Sequence, residues 1–323
     1  MGGHGTGCGI TRPRTGSLLH EPRMTRRVTL ALILALCALF AGCGKQGKPA
    51  QESATQAGGL KITAWNLQWF PGKTPKGGTP EENAAHIAAV VSGLKAIDAD
   101  IVLLQEIRDP AALQEIVKAI PEYSLDVVSD FRGNLEVAIL SRAPAKATEG
   151  FMQAFEEGDE ANPPRGFAYA TVMLTDESVL AVYSVHLKSN SGGIEETTPK
   201  REESARQLIA HCNGLKERFK KEGKTFYAVI GGDFNSDPTS EKWAEDDTLS
   251  MMQDAEFRWA GQGVEREELI SWLTDGRYPD AVFDHMMVMG PDGYEISQSS
   301  THKTDRTVSD HRAVIIELPG LPD

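Results

Sequence analysis

Residues 225–238 read TFYAVIGGDFNSDP. An uncharged run rich in aromatic and β-branched side chains ends in two glycines and then in Asp233 and Asn235, as expected of a strand whose end faces something polar. The glycines let the backbone approach a ligand closely. Asp233 and Asn235 are two apart, so on extended chain they point to the same side. A Gly-Asp-Asn turn would have the same composition, and the segment alone leaves both readings open.

Working outward, strands and helices alternate from Leu60 onward with no second linker. KITAWNL, from Lys61, is a strand. Thr79, Pro80 and Glu82 then form a capping box with proline at the first helical position, opening a helix that runs to about Ile97. DIVLLQEI, from Asp100, is a short, continuously apolar strand, and Asp109–Pro110 start a helix that stops before Pro121. YSLDVVSD and LEVAILSR flank a turn at Phe131–Asn134, and FAYATVML and SVLAVYSVHL flank another at Thr175–Glu177, giving two hairpins. Thr198–Pro199 start a long helix that ends near Gly223. Residues 239–280 read as short helices and loops, and AVFDHMMVM and RAVIIEL are the last two strands. Hairpins mixed with single helical crossovers predict an α/β (α+β) fold, a four-layer sandwich of two mostly antiparallel sheets with helices outside. Residues 60–323 form one domain.

The segments before it have other work. Met24, Arg26 and Arg27 precede a 13-residue apolar run from Val28 to Phe40 and then Ala41, Gly42 and Cys43. As a helix the run spans roughly 20 Å, short of a bilayer's hydrocarbon core, so residues 24–43 read as a secretory signal peptide. The small-small-Cys ending is similar to a bacterial lipobox, with Cys43 as the lipidated first residue of an exported, membrane-anchored and extracytoplasmic lipoprotein. Residues 1–23 read as an upstream extension that is not native, and residues 44–59, without periodicity, as a flexible tether. Residues 44–323 carry 28 Lys plus Arg against 45 Asp plus Glu. That excess of negative charge argues against tight, extended binding to a polyanion, whose affinity comes mostly from phosphate neutralisation. Cys212 is the single cysteine beyond residue 43, which excludes an intramolecular disulfide or thiolate zinc site there. It lies on a helical apolar face with Ala205, Leu208, Leu215 and Phe219 and reads as core.

Several apolar runs end in a residue that can do chemistry. Glu106 ends DIVLLQ, where a carboxylate either faces a cleft, a cation or a donor, or is exposed at the strand end. His311, beside Asp310, is the expected base because imidazole changes charge near neutral pH. Asp284, on the preceding strand, could accept its other N–H and fix its tautomer. His86 and His211 are expected on helix surfaces, and His285, opposite Asp284 on its strand, in packing. Trp65, Trp69, Trp259 and Trp272 are either core or a substrate rim, with Trp272 the one to test. Residues 239–280 contain Glu245, Asp246, Asp247, Glu265, Glu267 and Glu268, which are unhelpful for gripping a polyanion.

The ordered set WN at 65–66, QE at 105–106, Arg165 before a strand, HLKS at 186–189, GDFN at 232–235, DH at 284–285 and SDHR at 309–312 resembles the endonuclease/exonuclease/phosphatase superfamily. This is the group of deoxyribonuclease I, exonuclease III-type enzymes and neutral sphingomyelinases. The resemblance spans about residues 60–319 and implies a deoxyribonuclease I-like fold and metal-dependent phosphodiester hydrolysis. It implies that Glu106, helped by Asn66 and Asp310, binds a divalent metal, magnesium by default with manganese or calcium as alternatives. By the same resemblance Asp233 and His311 would activate water, Asn235 and His186 would contact the phosphate or support the leaving oxygen, and Asp284 would orient His311. Arg165 and Lys188 would contact phosphate, and Asn134 stands where some members carry a tyrosine. The expected function is a membrane-tethered, monomeric nuclease of low sequence specificity acting on DNA or RNA. The alternatives are a phospholipid or small-molecule phosphodiesterase or phosphatase of the same fold, and a non-catalytic binding lipoprotein.

Overall fold

The computed structural model describes residues 59–130, 135–142, 147–153 and 166–321, and these fall in one compact unit. The signal peptide, Cys43, most of the tether, the Phe131–Asn134 turn and Arg165 lie outside the described residues. In chain order the elements are β1 (Leu60–Phe70), α1 (Pro80–Ile97), β2 (Ile101–Ile107), α2 (Leu113–Ala119), β3 (Tyr123–Val128), β4 (Glu136–Arg142), β5 (Ala147–Gln153), β6 (Phe167–Thr175) and β7 (Ser178–His186). They continue with α3 (Ile194–Lys221), β8 (Thr225–Asp233), α4 (Thr248–Asp254), β9 (Arg258–Trp259), α5 (Arg266–Leu269), β10 (Asp284–Met289), β11 (Ser300–His302) and β12 (Ala313–Leu318).

The strands form two six-stranded sheets, ordered β11-β12-β1-β2-β4-β3 and β5-β6-β7-β8-β10-β9. Within each sheet a single pair is parallel, β1 with β2 and β7 with β8, and every other pair is antiparallel. A parallel pair needs a crossover, supplied by α1 in the first sheet and α3 in the second. The sheets face each other through one core that contains Ile62, Leu103 and Ile139 from the first and Ala170, Val182 and Met286 from the second. A second core packs the outer face of the first sheet against α1 and α2, and a third packs the second sheet against α3 and α4. Strands covered on both faces have no polar side to show, which is why IVLLQ and YAVI read as unbroken apolar runs.

The capping box at Thr79 and Glu82 is present, and α1 ends at Ile97 as its sequence predicts. The long helix differs: α3 opens at Ile194, so Pro199 lies inside it. As the sixth residue of α3 Pro199 removes one helical bond, the N–H that would reach Glu195 O, while Thr197 ties its hydroxyl to Gly193 O at 2.8 Å. Three strands, β5, β9 and β11, also add to those predicted.

Candidate active site

Both parallel pairs deliver their last residues to one end of the sandwich. Asn66 lies in β1 and Glu106 near the end of β2, while His186 and Asp233 end β7 and β8 side by side in register. Asp284 opens β10 directly opposite Asp233. His311 stands just before β12, joined by a bridge to Trp272. Glu106, His186, Asp233, Asn235, Asp310 and His311 thus share a cleft of about 490 Å³.

Asp233 is the hub. Its Oδ2 accepts from Asn66 Nδ2 at 3.0 Å and lies 3.5 Å from His186 Nε2 and 3.8 Å from His311 Nε2. Its Oδ1 accepts the Asn235 N–H at 2.9 Å. Asn235 therefore reaches the cleft through an Asx turn with positive φ, not through strand alternation. The backbone beneath is tight. Gly232, at φ +145°, has no room for a side chain, because a Cβ there would come within 2.0 Å of Val185 O.

His311 Nδ1 lies 2.7 Å from Asp284 Oδ2, and both side chains are buried. Burial alone would lower the imidazole, but the carboxylates of Asp284 and Asp233 outweigh it and raise His311 well above its ordinary range. Asp233 is pushed up to about 7, first by burial and then by Asp284 and Glu106, against the pull of His311 and Asn66. Ser309 sets the frame: its hydroxyl donates to Asn66 O at 2.7 Å and accepts the His311 N–H at 3.0 Å. Trp65, wholly buried, donates its indole N–H to His311 O at 2.9 Å.

Glu106 has left-handed backbone, φ +57°. Its carboxylate accepts Trp69 N–H at 3.0 Å and Asn66 Nδ2 at 3.2 Å. The first of these bonds exists because β1 bulges between Asn66 and Phe70 and turns Gln68 and Trp69 left-handed. Asn66 Oδ1 meanwhile accepts Gln68 N–H at 3.0 Å. The amide nitrogen of Asn66 thus faces the carboxylates of Glu106 and Asp233 and orients both.

Among the described residues no three His, Cys, Asp or Glu side chains converge as a metal cage. A hard cation such as magnesium does not require one, since one or two carboxylates with water and substrate oxygens suffice. Glu106 meets that requirement at the cleft surface with Asp310 on the same lining. Among the described residues the buried Asp284 Oδ1 has no hydrogen-bond partner, and Asp233, raised first by burial, is raised further by the carboxylates of Asp284 and Glu106, a negative charge that a cation would relieve.

A profile of the Endonuclease/Exonuclease/phosphatase family matches residues 63–311. The chain belongs to that family. Its members are hydrolases acting on phosphodiester bonds and generally use divalent metal ions. Similar solved structures include TDP2 from D. rerio complexed with single strand DNA product (18% identity, TM-score 0.57, covering 80% of this chain and 97% of that one). A family protein from Bacteroides thetaiotaomicron is similar at 18% identity and TM-score 0.56, covering 80% and 94%. Another, from Beutenbergia cavernae, is similar at 16% identity and TM-score 0.58, covering 82% and 72%. At such identities the likeness is one of fold. Comparison with curated proteins finds no match.

Within this family fold several expectations change. Lys188 donates to Ser189 O and Ser191 O at 3.1 Å each, bracing its own loop, whereas among the described residues the lysine on the cleft lining is Lys242. His86 is buried, not on the surface: its Nδ1 accepts Gly72 N–H at 3.0 Å and its ring meets Phe70 edge-on. His211 likewise packs on Tyr169 and lies 2.9 Å from the Tyr183 hydroxyl. His285 is packing as expected, between Trp259 Nε1 and Ser236 O. Cys212 is core, its thiol pushed up to about 12 by burial. The acids of residues 239–280 do not line the cleft; Asp246 is turned inward onto Arg201 at 2.6 Å. That segment instead gives the cleft Lys242, Trp243, Trp272 and Tyr278. Of these, Trp272 alone is singled out by the sequence.

Proposed function

We propose that the protein is a divalent-metal-dependent phosphodiesterase, a nuclease of low sequence specificity exported and held at a membrane by lipid on Cys43 through the tether of residues 44–59. The observation that carries the catalytic part is the placement of Asp233 between two imidazoles and the Asn66 amide, with Asp284 behind His311.

Asp233, with a carboxyl raised toward neutrality, is suited to take a proton from an attacking water. His311, held cationic by Asp284, is suited to donate to a phosphoryl oxygen rather than to act as the base. His186 and Asn235 border the same point, where charge on the phosphorus oxygens or on the leaving oxygen needs donors. Glu106, with Asp310 beside it, would hold the cation, and a bound divalent ion supplies Lewis-acid stabilisation of the phosphoryl group. The leader and lipobox pattern at residues 24–43 supports export.

The test uses residues 60–323 with magnesium and plasmid DNA, RNA, sphingomyelin and a generic phosphodiester as substrates. Turnover of a nucleic acid that is lost with chelator, Glu106→Gln and His311→Ala is expected. Turnover that survives all three removes the proposed site. Loss of labelled-palmitate incorporation in Cys43→Ser tests the anchor.

A further inference from the structure

Half of the cleft takes no part in the chemistry above. Trp272 stacks on Phe283, centroids 5.2 Å apart and planes 23° apart, and Trp243 meets Phe283 edge-on at 5.4 Å. Trp243 and Phe283 are buried behind and are accounted for by packing. Trp272 is half-buried, and Tyr278, 64% exposed, is the only exposed large hydrophobic among the described residues. All four line the cleft that holds Asp233 and His311. A single exposed ring is ordinary on a protein surface; what sets Tyr278 apart is its place on the lining of the cleft that also holds Trp272 and the reacting groups.

The wall is fixed to the catalytic floor through the backbone. Trp272 bridges to Ala281 on one side and to His311 on the other. Leu273 N donates to Asp310 O at 2.7 Å, and the Ser271 hydroxyl accepts the N–H groups of Phe283 and Asp284. A group seated on this wall is therefore held at a set distance from the reacting centre.

Lys242 decides what the group is. Its ammonium lies over the Trp243 ring, 4.7 Å from the centroid, on the lining of the same cleft. Aromatic walls also suit quaternary ammonium headgroups, but here the chain's own cation stands beside the wall and would repel one. A neutral planar ring joined to an anion satisfies both features. We propose that Trp272 and Tyr278 form a stacking subsite for one unpaired nucleobase, with Lys242 taking an adjacent phosphate, so that unpaired nucleotides are cleaved in preference to duplex or lipid phosphodiesters. In a duplex both faces of a base are already stacked, and exposing one costs unstacking energy. The cleft, at about 490 Å³, lies within the range that encloses small ligands. The inference rests on the phosphodiesterase reading and assigns its substrate class.

The test compares a single-stranded oligonucleotide, its duplex, and an abasic strand of equal length. Binding is read in chelator by quenching of tryptophan fluorescence, and turnover in magnesium. The intact single strand is expected to bind and react better than the abasic strand by about 5- to 150-fold, the range for one stacked base, with the difference in KM. Trp272→Ala and Tyr278→Ala each shrink that ratio, and Trp272→Phe restores it. Lys242→Ala weakens both strands. Tyr278 is exposed, so its replacement leaves folding intact. An abasic strand that binds as well as the intact one, a ratio unmoved by both alanine variants, or phosphocholine competing better than a mononucleotide overturns the subsite. If no substrate turns over, the phosphodiesterase reading falls, while the binding arm still decides the stacking.

Discussion

Replacing Arg201 should cost more stability than replacing any exposed charge of this protein. Arg201 and Asp246 are both fully buried, with Nη2 at 2.6 Å and Nε at 2.8 Å from Asp246 Oδ2. The remaining guanidinium donors reach Lys188 O, Thr197 Oγ1 and Thr198 Oγ1 at 2.9 to 3.1 Å. Arg201→Met leaves the Asp246 carboxylate in the interior with only the Thr248 N–H and Thr198 hydroxyl as donors. Breaking a buried pair from one side costs about 3–5 kcal/mol. At about 2 °C per kcal/mol for a domain of this size, Tm falls by roughly 6–10 °C. The double variant Arg201→Met/Asp246→Leu removes the stranded charge and should recover more than half of the loss, since an apolar pair can replace a buried ion pair at little net cost. Calorimetry at low and high salt separates the effects, because a buried pair is barely screened. A single-variant loss below about 1 kcal/mol, as for exposed pairs, or a double variant no better than the single one, would refute the reasoning.

Four further outcomes are expected. Asp233→Asn should lower kcat by about 10²- to 10⁴-fold, the usual share of a positioned acid or base, with an unchanged circular dichroism spectrum. Asp284→Asn removes the first of the charges that hold His311 up, so the imidazole titrates at lower pH by NMR of the metal-free protein, and an unmoved titration contradicts the assignment. His86, ordinarily near 6.5, is lowered to about 4 by burial and by Lys73, against the opposing Val308 backbone bond. Its folded pKa lies below its unfolded one, so the stability it contributes is lost as pH falls from about 6.5 toward 4, and His86→Gln should flatten urea midpoints across that window. Gly232→Ala forces a Cβ onto Val185 O, and the soluble folded yield should drop sharply.

Much of this was legible because burial on both faces writes itself as unbroken apolar sequence. The β2, β7 and β8 strands are of that kind, and Glu106, His186 and Asp233, at or next to their ends, stand out by contrast. The failures have equally local causes. Strand β11, with the sequence STH, pairs with β12 alone at a sheet edge, where three polar residues carry no apolar signal. His86 was readable: with Val90, Leu94 and Ile97 it completes one buried helical face, and its polarity concealed that spacing. Lys242 and Trp243 sit in a single 3-10 turn, Glu241–Trp243, and Tyr278 in a loop, stretches too short for periodicity, so nothing in their spacing shows that they line the cleft. The acids around them suggested repulsion of a polyanion, but charge on a sequence has no direction, and Asp246 points into the protein.

The least legible feature is the backbone that aims the site. Gln68, Trp69, Glu106 and Asn235 all take positive φ, a conformation that costs a side-chain-bearing residue about 1–2 kcal/mol. Such strain persists only where neighbours over-determine it, and here they do. Gln68 N–H is held by Asn66 Oδ1, Trp69 N–H by Glu106 and Asn235 N–H by Asp233. Three of the four, Gln68, Trp69 and Asn235, donate their amides to polar side chains of the site, so the bonds that stabilise the unusual backbone also fix the carboxylates in the cleft. The orientation of Glu106 and Asp233 is therefore set by main-chain donors before any cation or phosphate arrives, and substrate binding does not have to supply the energy of aligning them.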